Sequence, residues 1–150
     1  MAKQEFSPLK PAAEMAAKDL ACKVYGDLTG IRFVVYGVSD DGRELSVLAH
    51  AGRTDTPRPF SASDERGRAA FEELETIDGH TFRPDSPGTT YVGYLAAPIR
   101  STNQAFGMIT MDATSTDLLE ASDGPLLEIV ASALSHFFAE AARGAHARRN

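Results

Sequence analysis

The stretch YVGYLAAPIRSTNQAFGMITMDATS, residues 91–115, decides how this chain is built. Residues 91–99 and 105–112 are β-rich runs joined by the polar turn Arg100-Ser-Thr-Asn-Gln104. Leu95, Ala97 and Ile99 alternate along the first run, and Phe106, Met108 and Thr110 along the second. That is the period of strands, whose successive side chains point to opposite faces. So short a connection makes the pair an antiparallel hairpin. Pro98 has no N–H to give to a ladder and marks an edge, a bulge or a strand end.

A second hairpin lies upstream. Residues 31–38 (IRFVVYGV) are β-branched and aromatic, with both faces largely apolar. Ser39-Asp-Asp-Gly42 is the turn, and Asp41-Gly42 is its strongest signal. Residues 44–50 return, with Leu45, Val47 and Ala49 expected on one face and Ser46, Leu48 and His50 on the other. Between the hairpins, residues 51–60 are loop and residues 64–77 a helix whose face is Ala70, Leu74 and Ile77, widened by Gly67 and Phe71. Ser61 or Ser63 can cap it. Residues 79–91 are irregular, with a short strand around 80–83.

The ends are helical. Residues 12–27 carry the stripe Ala13, Ala16/Ala17, Leu20 and Val24, with a second edge at Met15 and Cys22. The last helix starts at Gly124-Pro125, carries Leu127, Val130/Ala131, Leu134, Phe137/Phe138 and Ala141, and is expected to stop at Gly144. The expected division is a lead-in over 1–11, one domain over 12–144 and a tail over 145–150. The order helix, two strands, helix, irregular segment, two strands, helix gives an α+β fold, an α/β sandwich with one central antiparallel sheet.

Composition narrows the function classes. The chain has 150 residues, 43% hydrophobic and 24% charged, the make-up of one ordinary globular domain. Fifteen basic against 21 acidic residues leave a net charge of −6, which argues against a dominant nucleic-acid surface. No run approaches the ~18–20 apolar residues of a membrane span, and the N-terminus lacks a signal-peptide pattern. A cytoplasmic location is expected. One cysteine excludes an internal disulfide and a multi-thiolate metal site.

The late part of the chain resembles the GAF domain family. Ala97-Pro98-Ile99 matches its strand ending in a small–Pro–Ile unit, Phe106-Gly107-Met108-Ile109 its small-Gly-hydrophobic strand, and Asp123-Gly-Pro-Leu-Leu127 the start of its long terminal helix. Residues 45–52 (LSVLAHAG) resemble the family's second strand and its exit. The resemblance implies a central antiparallel sheet with the N- and C-terminal helices packed on one face, often dimerising. It implies a cavity on the other face under variable helices and loops. Related domains bind cyclic nucleotides, tetrapyrroles, haem, 2-oxoacids or amino acids, and some bind nothing known.

Residues of the covering segment are the candidates for such a pocket: Phe60, Phe71, His80, Phe82, Tyr91 and Tyr94, with Arg66, Arg68, Arg83 and Arg100 as anion partners. No catalytic constellation forms around them. Cys22 has no base near it in sequence. Residues 53–120 hold no cysteine, unlike the family's free-methionine-sulfoxide reductases. The bilin-site Asp-x-x-Pro motif is absent. His50, His80, His136 and His146 form no metal-ligand spacing, so no metal is expected, and no cofactor is identified.

The expected function is therefore a noncatalytic ligand-sensing or regulatory domain for an unidentified small molecule. The alternatives are a protein-interaction or dimerisation module without a small ligand and, third, a redox enzyme related to free-methionine-sulfoxide reductase. The expected assembly is a homodimer through the terminal helices, anchored by Phe137 or Phe138, signalling through its geometry or a separate output protein.

Overall fold

The structure is a computed structural model that describes residues 9–19, 30–52, 56–83, 93–101, 104–115 and 119–149. Its elements are α1 (Leu9–Asp19), β1 (Ile31–Val38), β2 (Glu44–Gly52), β3 (Phe60–Ser61), α2 (Glu65–Thr76), β4 (Thr81–Arg83), β5 (Gly93–Arg100), β6 (Ala105–Ala113), a 3-10 turn (Ala121–Asp123) and α3 (Gly124–Arg149). The strands form one six-stranded sheet in the order β3-β2-β1-β6-β5-β4, every described pairing antiparallel. The two expected hairpins are β1–β2 and β5–β6. They join through β1 and β6, the central pair, which are about 70 residues apart in sequence.

Both faces of the sheet are covered, so seven of the eight residues of β1 are buried. Ile31, Phe33 and Val35 point to one face with Leu95, Ala97, Ile99, Ile109 and Met111. There they meet Ala13 and Ala17 of α1 and Leu127, Ala131, Leu134 and Phe138 of α3. Val34 and Tyr36 point to the other face, where Ala70 and Leu74 of α2 close over them with Leu45, Phe60, Tyr94 and Met108. The molecule is thus an α/β sandwich around a central antiparallel sheet, with the terminal helices on one side and α2 on the other.

Two bulges redirect side chains that simple alternation misplaces. Val35 pairs with Ala49 but Tyr36 with Val47, leaving Leu48 as the extra residue. Leu45 and Val47 therefore join the α2 face, while Leu48, Ala49 and Ala51 join the terminal-helix face. The expectation that Leu45, Val47 and Ala49 share a face fails at that point. In the same way Ile99 pairs with Gly107 and Arg100 with Ala105. Phe106 is the extra residue and turns away from the face of Met108 and Thr110, to pack on Phe138 with ring centroids 5.9 Å apart. Pro98 sits beside this bulge, past Thr81, where the short β4 has ended.

Three boundaries also differ from expectation. α1 begins at Leu9 with Pro11 in its first turn, where an N–H has no helical partner. The expected continuation through Leu20, Cys22 and Val24 lies outside the described residues. Asp64, not Ser61 or Ser63, caps α2, accepting from Gly67 N–H at 2.7 Å; the two serine hydroxyls bond each other instead. α3 does not stop at Gly144 but continues to Arg149. One helical glycine costs about 1 kcal/mol, and the alanines and arginines around it are strong helix formers.

Candidate functional site

Among the described residues, the buried polar and charged side chains are Arg32, Thr110 and Asp112. Register places all three on the α2 face. Arg32 of β1, Asp112 of β6 and Tyr94 of β5 form one row across the sheet. Val34, Thr110 and Ala96 form the next row, and Tyr36, Met108 and Pro98 the one after. Among the described residues, the terminal-helix face carries no buried polar or charged side chain.

Arg32 and Asp112 form a buried ion pair. Arg32 Nε donates to Asp112 Oδ2 at 3.1 Å, and Nη2 lies 3.1 Å from the same oxygen. The two side chains are only 6% and 3% exposed. Such a pair repays its desolvation only with good geometry, and apolar residues of like volume are often as stable. A buried pair in the middle of a sheet is thus weak evidence of a stabilising device.

Toward α2 the face narrows. Glu73, Leu74, Ile77, Thr81, Ala96, Pro98 and Met108 line a groove between the helix and β4–β6 that has no room for a water molecule. Tyr94 points its hydroxyl to Met108 Sδ at 3.9 Å. Phe60 stands edge-on to Tyr36, with centroids 5.0 Å apart and planes at 65°. The Arg66 guanidinium lies 3.8 Å over the Phe60 ring and donates to Pro59 O at 3.1 Å. Tyr36 donates to Arg58 O at 3.3 Å.

Of the six residues singled out from the sequence, Phe60, Phe71 and Tyr94 come together on this face. Phe82 packs against the opposite, terminal-helix cluster. His80 reaches Glu128 of α3, with Nδ1 2.8 Å from Oε2. Tyr91 lies outside the described residues. Of the arginines, Arg68 donates to Ser63 O at 3.3 Å, and Arg100 closes the end of α2 through Leu74 O and Ile77 O at 2.7 and 2.6 Å. Sequence reasoning passed over Arg32, Thr110 and Asp112. The available signal was a single charge in each of two largely apolar runs, Arg32 near the start of IRFVVYGV and Asp112 at the end of AFGMITMD. Among the described residues, no group of three His, Cys, Asp or Glu comes together as a metal site.

This arrangement is a sandwich of one antiparallel sheet between helical layers, and comparison with solved structures shows that it has the fold of GAF domains. The chain superposes on the GAF domain of Acinetobacter phosphoenolpyruvate-protein phosphotransferase with a TM-score of 0.70 at 12% identity, covering 96% of this chain and 91% of that one. On the chromophore-binding domain of bacteriophytochrome RpBphP3 from R. palustris the TM-score is 0.66 at 17% identity, and the match covers 94% of this chain but 59% of the other. Free methionine-R-sulfoxide reductase from Neisseria meningitidis, solved with its substrate, gives 0.68 at 18% identity, with coverages of 91% and 81%. No protein-family profile and no curated protein sequence matches the chain. Among the described residues, no helix is long and apolar enough to cross a membrane.

Proposed function

We propose that the chain is a noncatalytic ligand-sensing or regulatory domain whose small-molecule site lies on the α2 face, against Arg32, Thr110 and Asp112. The observation that carries this reading is the segregation of the buried polar groups to one face of a doubly covered sheet. A charged pair with a hydroxyl beside it gives a small polar ligand both signs of charge to answer. The row of Tyr36, Met108 and Pro98, with Ala96 beside it, supplies the hydrophobic wall that such sites need. The groove under α2 beside these residues has no room for a water molecule, so a ligand that reaches from them into the groove has to displace α2.

The test is a thermal melt of the protein against a panel of cyclic nucleotides, 2-oxoacids, amino acids and tetrapyrroles. A ligand present at a hundred times its Kd stabilises by about 2.7 kcal/mol. That stabilisation is expected to disappear in the Arg32→Met, Asp112→Leu double variant, which keeps the volume but not the charge. A panel that leaves the wild-type melt unmoved, or a ligand whose effect survives the double variant, counts against the site.

The output surface on this reading is the solvent side of the terminal helices. Ile129 and Phe137 of α3 are 67% and 56% exposed, and Met15 of α1 is 64% exposed. Ile129, Ala133 and Phe137 are four residues apart and form one stripe, with Ala133 small and exposed between the two large side chains. Of the two expected anchors only Phe137 is available, because Phe138 is spent on the core beside Phe106. The stripe suits a twofold homodimer. Sedimentation at micromolar concentration is expected to give twice the 16.1 kDa chain mass. Phe137→Asp is expected to return it to a folded monomer, with the far-UV helical signal unchanged and a melt that no longer depends on protein concentration. A wild-type mass of one chain, or a dimer indifferent to Phe137→Asp, removes this interface.

A further inference from the structure

α2 and α3 lie on opposite faces of the sheet, and residues 77–80 carry the chain from one layer to the other before it enters β4. This passage is fastened at both ends. On the α2 side Arg100 of β5 donates Nη1 to Leu74 O and Nη2 to Ile77 O, at 2.7 and 2.6 Å. The guanidinium thereby satisfies carbonyls that the end of a helix leaves open, and it suits the negative end of the dipole. On the α3 side His80 Nδ1 lies 2.8 Å from Glu128 Oε2, with the side chains 23% and 38% exposed.

Two glycines make room for this contact. Gly79 has φ of 100°, and a Cβ there would stand 2.9 Å from Glu128 Oε1. Gly124 opens α3, and a methyl on it would overlap the His80 imidazole. The ring is therefore seated directly on the backbone of the first turn of α3. Side chain, backbone conformation and both glycines agree on one close approach.

We infer that residues 77–80 are a latch joining the covering helix α2 to the start of α3, so that displacement of α2 loosens or shifts the first turns of α3. The purpose of the latch rests on the proposed ligand site under α2, but its physics belongs to the unliganded protein. Coupling between two sites needs an element that both can bias. Here α2 biases it through the Leu74 and Ile77 carbonyls, and α3 through Glu128. Because Ile129 stands next to Glu128 on the exposed stripe, the latch ends beside the surface proposed for the partner subunit.

Native-state hydrogen exchange on the ligand-free full chain tests this. Glu128→Gln keeps size and is the mild variant; His80→Ala removes the ring. Each is expected to speed exchange about tenfold, the consequence of losing one charge-assisted hydrogen bond. The acceleration is expected both at residues 73–76 of α2 and at residues 128–131 of α3. Arg100→Gln, applied at the α2 end, is expected to speed exchange at residues 128–131 in the wild-type background and to have no further effect there once His80 is alanine. Acceleration confined to one helix, no acceleration at either, or an Arg100→Gln effect on α3 that survives His80→Ala overturns the latch. The ligand melts measure a different quantity. A silent ligand panel leaves an exchange result standing, and independent exchange of the two helices removes the latch without touching the site.

Discussion

Asp112→Ala is expected to destabilise the protein by about 3–5 kcal/mol, the cost of leaving a buried charge without its partner. Arg32 is 5% exposed, and its Nε and Nη2 both address one Asp112 oxygen. Cutting the side chain back to a methyl takes that oxygen away from both guanidinium nitrogens. Removing both charges together, as Arg32→Met with Asp112→Leu, is expected to restore stability to within about 1 kcal/mol of wild type or above it, because apolar residues of like volume escape the desolvation cost. Urea unfolding with an unchanged slope measures both. A double variant as unstable as Asp112→Ala would mean that the pair is a structural requirement of the sheet, and the argument for a binding role would lose its support. A stable double variant without ligand response would say that the charges are kept for recognition.

The reason this pair escaped the sequence lies in topology. Arg32 and Asp112 are 80 residues apart and meet only because β1 and β6 are neighbours at the centre of the sheet. Hairpin reasoning sees β1 with β2 and β5 with β6, since short turns declare those pairings. It is blind to the seam between hairpins, where no turn exists to be read. The same blindness hides how the rows run on from β6 into β1, and with that the placing of Thr110 beside Val34 and of Asp112 beside Arg32. What local pattern could show, it showed: the two hairpins, the helix over Ala70 and Leu74, and the apolar stripe of Leu127, Ala131 and Leu134 all occupy their expected places.

Aromatic content alone does not say which layer a side chain joins. Phe82 and His80 sit in the covering segment by sequence, yet β4 alternates. Phe82, opposite Leu95, faces the terminal helices, while Thr81, opposite Ala96, lines the α2 groove. A one-residue difference in register decides which layer a side chain joins, and a three-residue strand offers too little pattern to fix that register beforehand. Bulges at Leu48 and Phe106 act in the same way. Each inserts one residue that no count of alternation can foresee, and each sends a large side chain to the face that needs filling.

Gly67→Ala separates local propensity from tertiary packing most sharply. Gly67 is the third residue of α2, and alanine in a helix is ordinarily worth about 1 kcal/mol over glycine. The opposite sign is expected here. A Cβ on Gly67 would overlap the carbonyl of Ser61, and the neighbouring Ser61 nitrogen would be only 2.8 Å away. Ser61 has nowhere to retreat: it pairs with Glu44 of β2, and Ala62 N–H donates to Arg43 O at 2.7 Å. Phe60 before it is held between Tyr36 and Arg66. The helix itself has to lift, which stretches the 2.7 Å cap from Gly67 N–H to Asp64 Oδ1. Overpacking of about 1–3 kcal/mol and partial loss of a cap worth about 1 kcal/mol together outweigh the propensity gain. A net loss of about 1–3 kcal/mol is expected, read from the urea midpoint. The lifted helix is also expected to open the groove over Met108 and Ala96, so amides of residues 69–76 should exchange faster while those of β1 and β6 keep their protection. Increased stability on Gly67→Ala would show that the start of α2 is not seated on β3, and the cover of the proposed site would have to be redrawn.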